Sequence, residues 1–135
     1  MVSRVHHLGV AVDDLDAAIA RWAMLFGATV EHRETVADQG VEAASLRVGE
    51  SRVELLAPLG PDTPVGRFLA SRGPGMHHVA FAVDDMGAEL ERLRAVGARL
   101  VDEEPRLGLF GLEVAFVHPE ATGGVLAEFV GDERT

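Results

Sequence analysis

Cysteine, lysine and tyrosine are absent from this chain of 135 residues. Without cysteine there is no disulfide, thiolate metal ligand or thiol nucleophile, and without lysine there is no Schiff-base chemistry. No apolar run approaches the roughly 20 residues of a membrane helix, and the N-terminus lacks a signal-peptide pattern. These absences predict a cytoplasmic protein that does not engage a membrane. Positive charge is also scarce: 12 arginines face 22 acidic residues, for a net charge of −10. Nucleic-acid affinity comes mainly from counterion release at a clustered basic surface, so DNA or RNA binding is not expected. An anionic small molecule would have to be held by local arginines.

What is present is an ordinary globular composition, 47% apolar and 25% charged, with low-complexity segments missing. Its most informative feature is self-similarity. His6-His7-Leu8-Gly9-Val10-Ala11-Val12-Asp13-Asp14 is answered 71 residues later by His77-His78-Val79-Ala80-Phe81-Ala82-Val83-Asp84-Asp85. A segment with helical apolar spacing follows each, Leu15 to Phe26 and Met86 to Val96, and each ends in Gly-Ala. Strands are predicted near Thr29–Glu34, Val41–Val48 and Arg52–Ala57, then near Arg99–Asp102, Leu112–Val117 and Val125–Val130. Turns are predicted at Gly49-Glu50 and at Thr122 to Gly124.

The prediction is an α+β fold of two βαβββ modules in one domain spanning 1–135. Module 1 covers about 1–61, a linker with a short helix (Val65–Ser71) covers 62–75, and module 2 covers about 76–135. The two modules are expected to build one curved sheet around a cleft.

Alternation along a strand sends neighbours to opposite faces. His6, Leu8, Val10 and Val12 form a bulky set suited to packing against the helix. His7, Gly9 and Ala11 form a small set that leaves room for something other than side chains. The second repeat behaves alike, with His78, Ala80 and Ala82 as the small set, so His7 and His78 are the cleft candidates. Glu54 in Val53-Glu54-Leu55-Leu56 and Glu128 in Leu126-Ala127-Glu128-Phe129 lie 74 residues apart, so each module offers one His and one Glu. Burying a carboxylate among such neighbours is costly unless a cation or hydrogen bonds compensate. A lone His can be a hydrogen-bonded core residue, and a lone Glu can mark an exposed edge. Their duplication favours a metal site instead, and His plus carboxylate suits Co, Mn, Ni, Zn or Fe.

These residues resemble the vicinal oxygen chelate superfamily, which includes glyoxalase I, extradiol dioxygenases and the fosfomycin- and bleomycin-resistance proteins. Within it the chain is most similar to the methylmalonyl-CoA epimerases. The likeness rests on His6 to Ala11, Gln39-Gly40-Val41, Val53 to Leu59 and Thr63 to Leu69. It continues through Gly75 to Phe81, Asp102 to Arg106, His118-Pro119 and Gly123 to Glu128. The resemblance implies metal ligands at His7, Glu54, His78 and Glu128, a divalent ion with cobalt first among the candidates, and an acyl-CoA substrate. It implies C2 epimerisation through an enolate, with Glu128 serving both as ligand and as one acid/base group, in a homodimer. Glu42 is the candidate for the second acid/base group, although the family pattern Gln-Gly-Val-x-Glu would place that carboxylate one residue later. A β-bulge near Gly40 would restore its aim.

Three further departures or conceivable contacts bear on the substrate. Leu109 and Phe110 are bulky where relatives are small or polar. Glu120 stands where many relatives carry Lys. Arg72 and Arg106 are conceivable CoA contacts. The alternatives are another metal enzyme of this fold, a glyoxalase-type isomerase or an extradiol dioxygenase, and a metal-free small-molecule-binding module. The possible fourth ligand, Glu54, argues against the dioxygenase, which needs open positions for oxygen.

Overall fold

The computed structural model describes residues 1–131. In chain order the elements are β1 (Val2–Ala11), α1 (Leu15–Phe26), β2 (Thr29–Val36), β3 (Val41–Val48), β4 (Ser51–Pro58) and α2 (Pro64–Arg72). They continue with β5 (Gly75–Val83), α3 (Met86–Ala95), β6 (Arg106–Leu107), β7 (Glu113–Val117), α4 (Pro119–Thr122) and β8 (Ala127–Gly131). The fold class is α+β, and the βαβββ order occurs twice, the second time with α4 inserted before the last strand.

The described residues divide into two compact units, residues 7–77 and residues 1–6 together with 78–131. The first six residues therefore belong with the C-terminal half: the Ser3 hydroxyl donates to the Ala82 carbonyl at 3.2 Å, and the Met1 ammonium lies 2.6 Å from a Glu89 oxygen. In the first unit the strands run β2-β3-β4-β1, and in the second β5-β8-β7-β6. The β1–β4 and β5–β8 pairs are parallel, and the hairpin pairs beside them are antiparallel.

The repeated Asp-Asp has a local cause. Its second member caps the following helix, Asp14 accepting from the Ala17 amide and Asp85 from the Ala88 amide, each at 3.0 Å. Such a cap satisfies an otherwise orphaned helix donor and contributes roughly 1 kcal/mol. Gly27 ends α1 in the left-handed region, with φ 68°, where a Cβ would be strained. Helix α1 buries Leu15 and Ala18, with Ile19 and Trp22 alongside, against Val10, Ala44, Leu46, Val53 and Leu55. In the second unit Met86 and Leu90 of α3 pack on Val83, Ala115, Val117 and Phe129.

The structure departs from the expected elements in module 2. No strand forms at Arg99–Asp102; Leu100 makes one isolated bridge to Val117, and the outer strand is the two-residue β6. The Val101 and Asp102 amides both donate to the Phe116 carbonyl, and Asp102 Oδ2 accepts the Phe116 amide at 2.8 Å. A side chain that competes for ladder hydrogen bonds ends a strand early. Residues 119–122 form the short helix α4, with proline in its first turn and His118 at its cap, and the turn expected at Thr122 to Gly124 follows it, with Gly123 in the left-handed region at φ 84°.

Candidate metal centre and acid/base groups

Strand pairing fixes the faces of the first unit. Val10, Val12, Ala44, Leu46, Val53, Leu55 and Ala57 cluster with α1. The intervening residues therefore share the other face. There Gly9 pairs with Glu54, Ser45 with Glu54 and Ala43 with Leu56, and His32 with Ser45 and Glu34 with Ala43. His7, two residues before Gly9 on β1, also lies on this face. Its Nε2 stands 3.3 Å from Glu54 Oε1, and both side chains are 4% exposed.

The second unit repeats the arrangement. Glu128 pairs with Ala80 on β5 and with Phe116 on β7, on the face opposite α3. His78 Nε2 lies 3.3 Å from Glu128 Oε1, and the His78 ring meets Phe116 edge-on with centroids 5.6 Å apart. The alternation that singled out His7 and His78 thus places each histidine beside the glutamate of its own half. His6 is also buried, on the helix side of β1.

These His–Glu distances suit a metal ion better than a direct ion pair. A charge-assisted N–H···O bond is about 2.7–2.9 Å long. A gap of 3.3 Å is instead about the edge of a coordination polyhedron with metal–ligand bonds near 2.1 Å. Imidazole and carboxylate are the donors a borderline divalent ion takes, and His7, Glu54 and His78 form a set that could hold one.

Glu42 is not brought to this face. Strand β3 pairs with β4 without interruption from Val41 to Val48, which sets Glu42 opposite Ala57 on the α1 side. Its carboxylate accepts from Arg33 Nε at 3.0 Å, and Arg33 Nη1 donates to Asp16 of α1 at 2.7 Å. Asp16 and then Glu42 raise the Arg33 pKa further above its usual value. The register does shift, but in β2, between Val30 and His32, rather than near Gly40. The bulge lets Glu31 accept from both Arg47 at 2.9 Å and Arg52 at 3.0 Å. Arg47, and then Arg52, hold its carboxyl below the usual range against the opposing effect of burial.

Sequence reasoning overlooked Ser45, His32 and Glu34 as members of the His7 face. Each lies in a strand whose facing depends on a partner strand rather than on its own alternation.

The substrate-related departures also have definite places. Leu109 is buried, and Leu112 packs with Ala80, Val114 and Val130, on the His78 face. Phe110 holds φ 63°, a strained value for a residue with a side chain. Glu120 pairs with Arg99 at 3.1 Å. The Arg106 guanidinium lies 5.7 Å from the Phe116 ring centroid, and that of Arg72 lies 5.5 Å from Phe68. Among the described residues no helix is long and apolar enough to cross a membrane.

Residues 6–116 match the model of the glyoxalase/bleomycin resistance protein/dioxygenase superfamily. The chain is 36% identical over 130 residues to the ethylmalonyl-CoA/methylmalonyl-CoA epimerase of Cereibacter sphaeroides, covering 95% of this chain and 97% of that protein. It is 36% identical over 128 residues to human mitochondrial methylmalonyl-CoA epimerase, covering 94% of this chain and 73% of the relative. A variant of the Streptomyces coelicolor methylmalonyl-CoA epimerase, solved in complex with 2-nitronate-propionyl-CoA, superposes with a TM-score of 0.96. It is 35% identical, with 100% of this chain and 98% of that one covered.

Proposed function

Because the chain belongs to the glyoxalase/bleomycin resistance protein/dioxygenase superfamily, we propose that its duplicated His–Glu pairs serve an epimerase acting at C2 of methylmalonyl-CoA. The observation that carries this reading is the pair of buried imidazole–carboxylate contacts, 3.3 Å in each half. The relatives named as methylmalonyl-CoA epimerases supply the substrate class.

His7, Glu54, His78 and Glu128 are the residues that would hold a divalent ion, cobalt being the first candidate. The ion would act as a Lewis acid toward developing negative charge on the substrate oxygens. The rest of the chemistry falls to the chain. The C2–H bond is flanked by a thioester and a carboxylate, so losing that proton leaves a planar enolate. Inversion requires one group to remove the proton and another to return it to the opposite side. Glu128 is one such group. Its apolar neighbours, Ala80, Phe116 and Val130, keep water from competing for the proton. We further read the enzyme as a cytoplasmic homodimer on the strength of the family likeness, a state that sedimentation would test.

Deuterium incorporation tests the reaction. Cobalt-loaded protein incubated with methylmalonyl-CoA in D2O should deuterate C2, and Glu128→Ala should slow this by about 10²–10⁴-fold. Exchange no faster than a protein-free control, with cobalt bound, would sink the assignment.

A further inference from the structure

A hydroxyl buried in a sheet calls for a hydrogen-bond partner, and burying one without it is costly. Ser45 of β3 is 3% exposed, and among the described residues no hydrogen bond engages its side chain. Strand pairing fixes what surrounds it. Ser45 lies opposite Glu54 of β4 on one side and opposite His32 of β2 on the other. Directly paired residues have Cβ atoms about 4.5–5.5 Å apart. His32 turns its Nε2 to Glu34 Oε1 at 3.2 Å. Arg47, two residues along β3 on the same face, donates to Glu31 at 2.9 Å. The charged acceptor in the Ser45 row is Glu54.

Strand order adds a direction. Strand β4 runs between β1 and β3, so His7 approaches Glu54 from one side and Ser45 from the other. Glu54 Oε1 is the oxygen 3.3 Å from His7 Nε2. Resting on the metal-site reading above, we infer that Ser45 is a positioning residue for Glu54. When His7 and Glu54 hold a divalent ion, the Ser45 hydroxyl donates to Glu54 Oε2.

A χ1 rotation of serine suffices to make this bond, and a carboxylate oxygen has lone pairs for more than one donor. The bond holds the carboxylate against rotation about its last torsion, and a ligand oriented in this way binds its ion more tightly. In the second unit the matching position opposite Glu128 is Phe116, whose side chain has no donor. The support is therefore particular to the Glu54 arm.

The test measures cobalt affinity by competition with a chromophoric chelator, on the wild type and on Ser45→Ala, Ser45→Val and Ser45→Thr. Ser45→Ala and Ser45→Val should raise the cobalt Kd by about 10–100-fold, the usual cost of removing such a supporting hydrogen bond. Ser45→Thr has the shape of the Ser45→Val side chain with the hydroxyl restored. It should bind like the wild type and keep the wild-type visible cobalt spectrum. The melting temperature of ion-free Ser45→Ala should not fall, because no hydrogen bond is lost there. Cobalt bound as tightly by Ser45→Ala as by the wild type would overturn the inference. So would a Ser45→Thr protein that binds as weakly as Ser45→Val. A wild type that binds no cobalt would instead sink the metal-site reading itself.

Discussion

The two units place the same pair of residues in different surroundings. Beside Glu54 the neighbouring strand offers Ser45, and the same face carries His32, Glu34 and the Glu31–Arg47–Arg52 group. Beside Glu128 it offers Phe116, and that face continues through Ala80, Leu112, Val114 and Val130. A duplicated module has thus kept its His–Glu pair while diverging around it. One half surrounds its pair with polar and charged side chains, the other with apolar ones. In the first half a full-length β2 carries the polar groups; in the second the outer strand has shrunk to two residues, and an apolar loop takes its place.

Breaking the matched carboxylates should give the largest contrast. Glu128→Gln removes the proposed proton carrier and should cost at least about 10²-fold in C2 exchange. Glu54→Gln keeps an oxygen donor and should stay within about 10-fold, since general-base catalysis is not lost there. Equal losses would mean that both glutamates serve as ligands alone.

Crowded glycines sharpen the comparison at the level of stability. A Cβ on Gly66 would lie 2.4 Å from the Gly60 carbonyl oxygen, which is backbone. One on Gly108 would lie 2.8 Å from two Val114 methyl carbons. Gly66→Ala should therefore destabilise by about 2–3 kcal/mol despite the better helix propensity of alanine. Gly108→Ala should cost about 1–2 kcal/mol, because a valine can shift. Denaturant melts would show the order, and the reverse order would refute the distinction between backbone and side-chain obstruction.

Glu31→Gln should have the smallest effect, at most about 1 kcal/mol for a partly exposed group. Its folded carboxyl is held below the usual range. The stabilisation is therefore complete above the unfolded carboxyl's pKa and is lost as pH falls through the folded value. Wild type and variant should differ in melting temperature at neutral pH and converge under acid.

The sequence revealed the central strands and helices well, because their cause is local. Helix α1 ends where Asp14 caps it and Gly27 closes it, and β3 was predicted with its observed bounds. The closeness of His7 to Glu54 and of His78 to Glu128 was legible because alternation and repetition point to the same positions. The facing of β2 was not. Its bulge beside Glu31 shifts the pairing, so the strand's own pattern does not say that Glu34 meets Ala43. The mistaken strand at Arg99–Asp102 has a similar origin: the Asp102 carboxylate accepts the Phe116 amide, a contact that propensity does not register.

The seam between the units runs through both doubled histidines, between His6 and His7 and between His77 and His78. Residues 1–6 are therefore made well before their partners, Ser3 meeting Ala82 across 79 positions. At ribosomal speeds of about 5–20 residues per second, this leaves the leading segment waiting roughly 4–16 s. During that interval its unpaired backbone is open to neighbouring nascent chains on the same message. Vectorial synthesis thus sets this fold a timing problem that its folded state conceals.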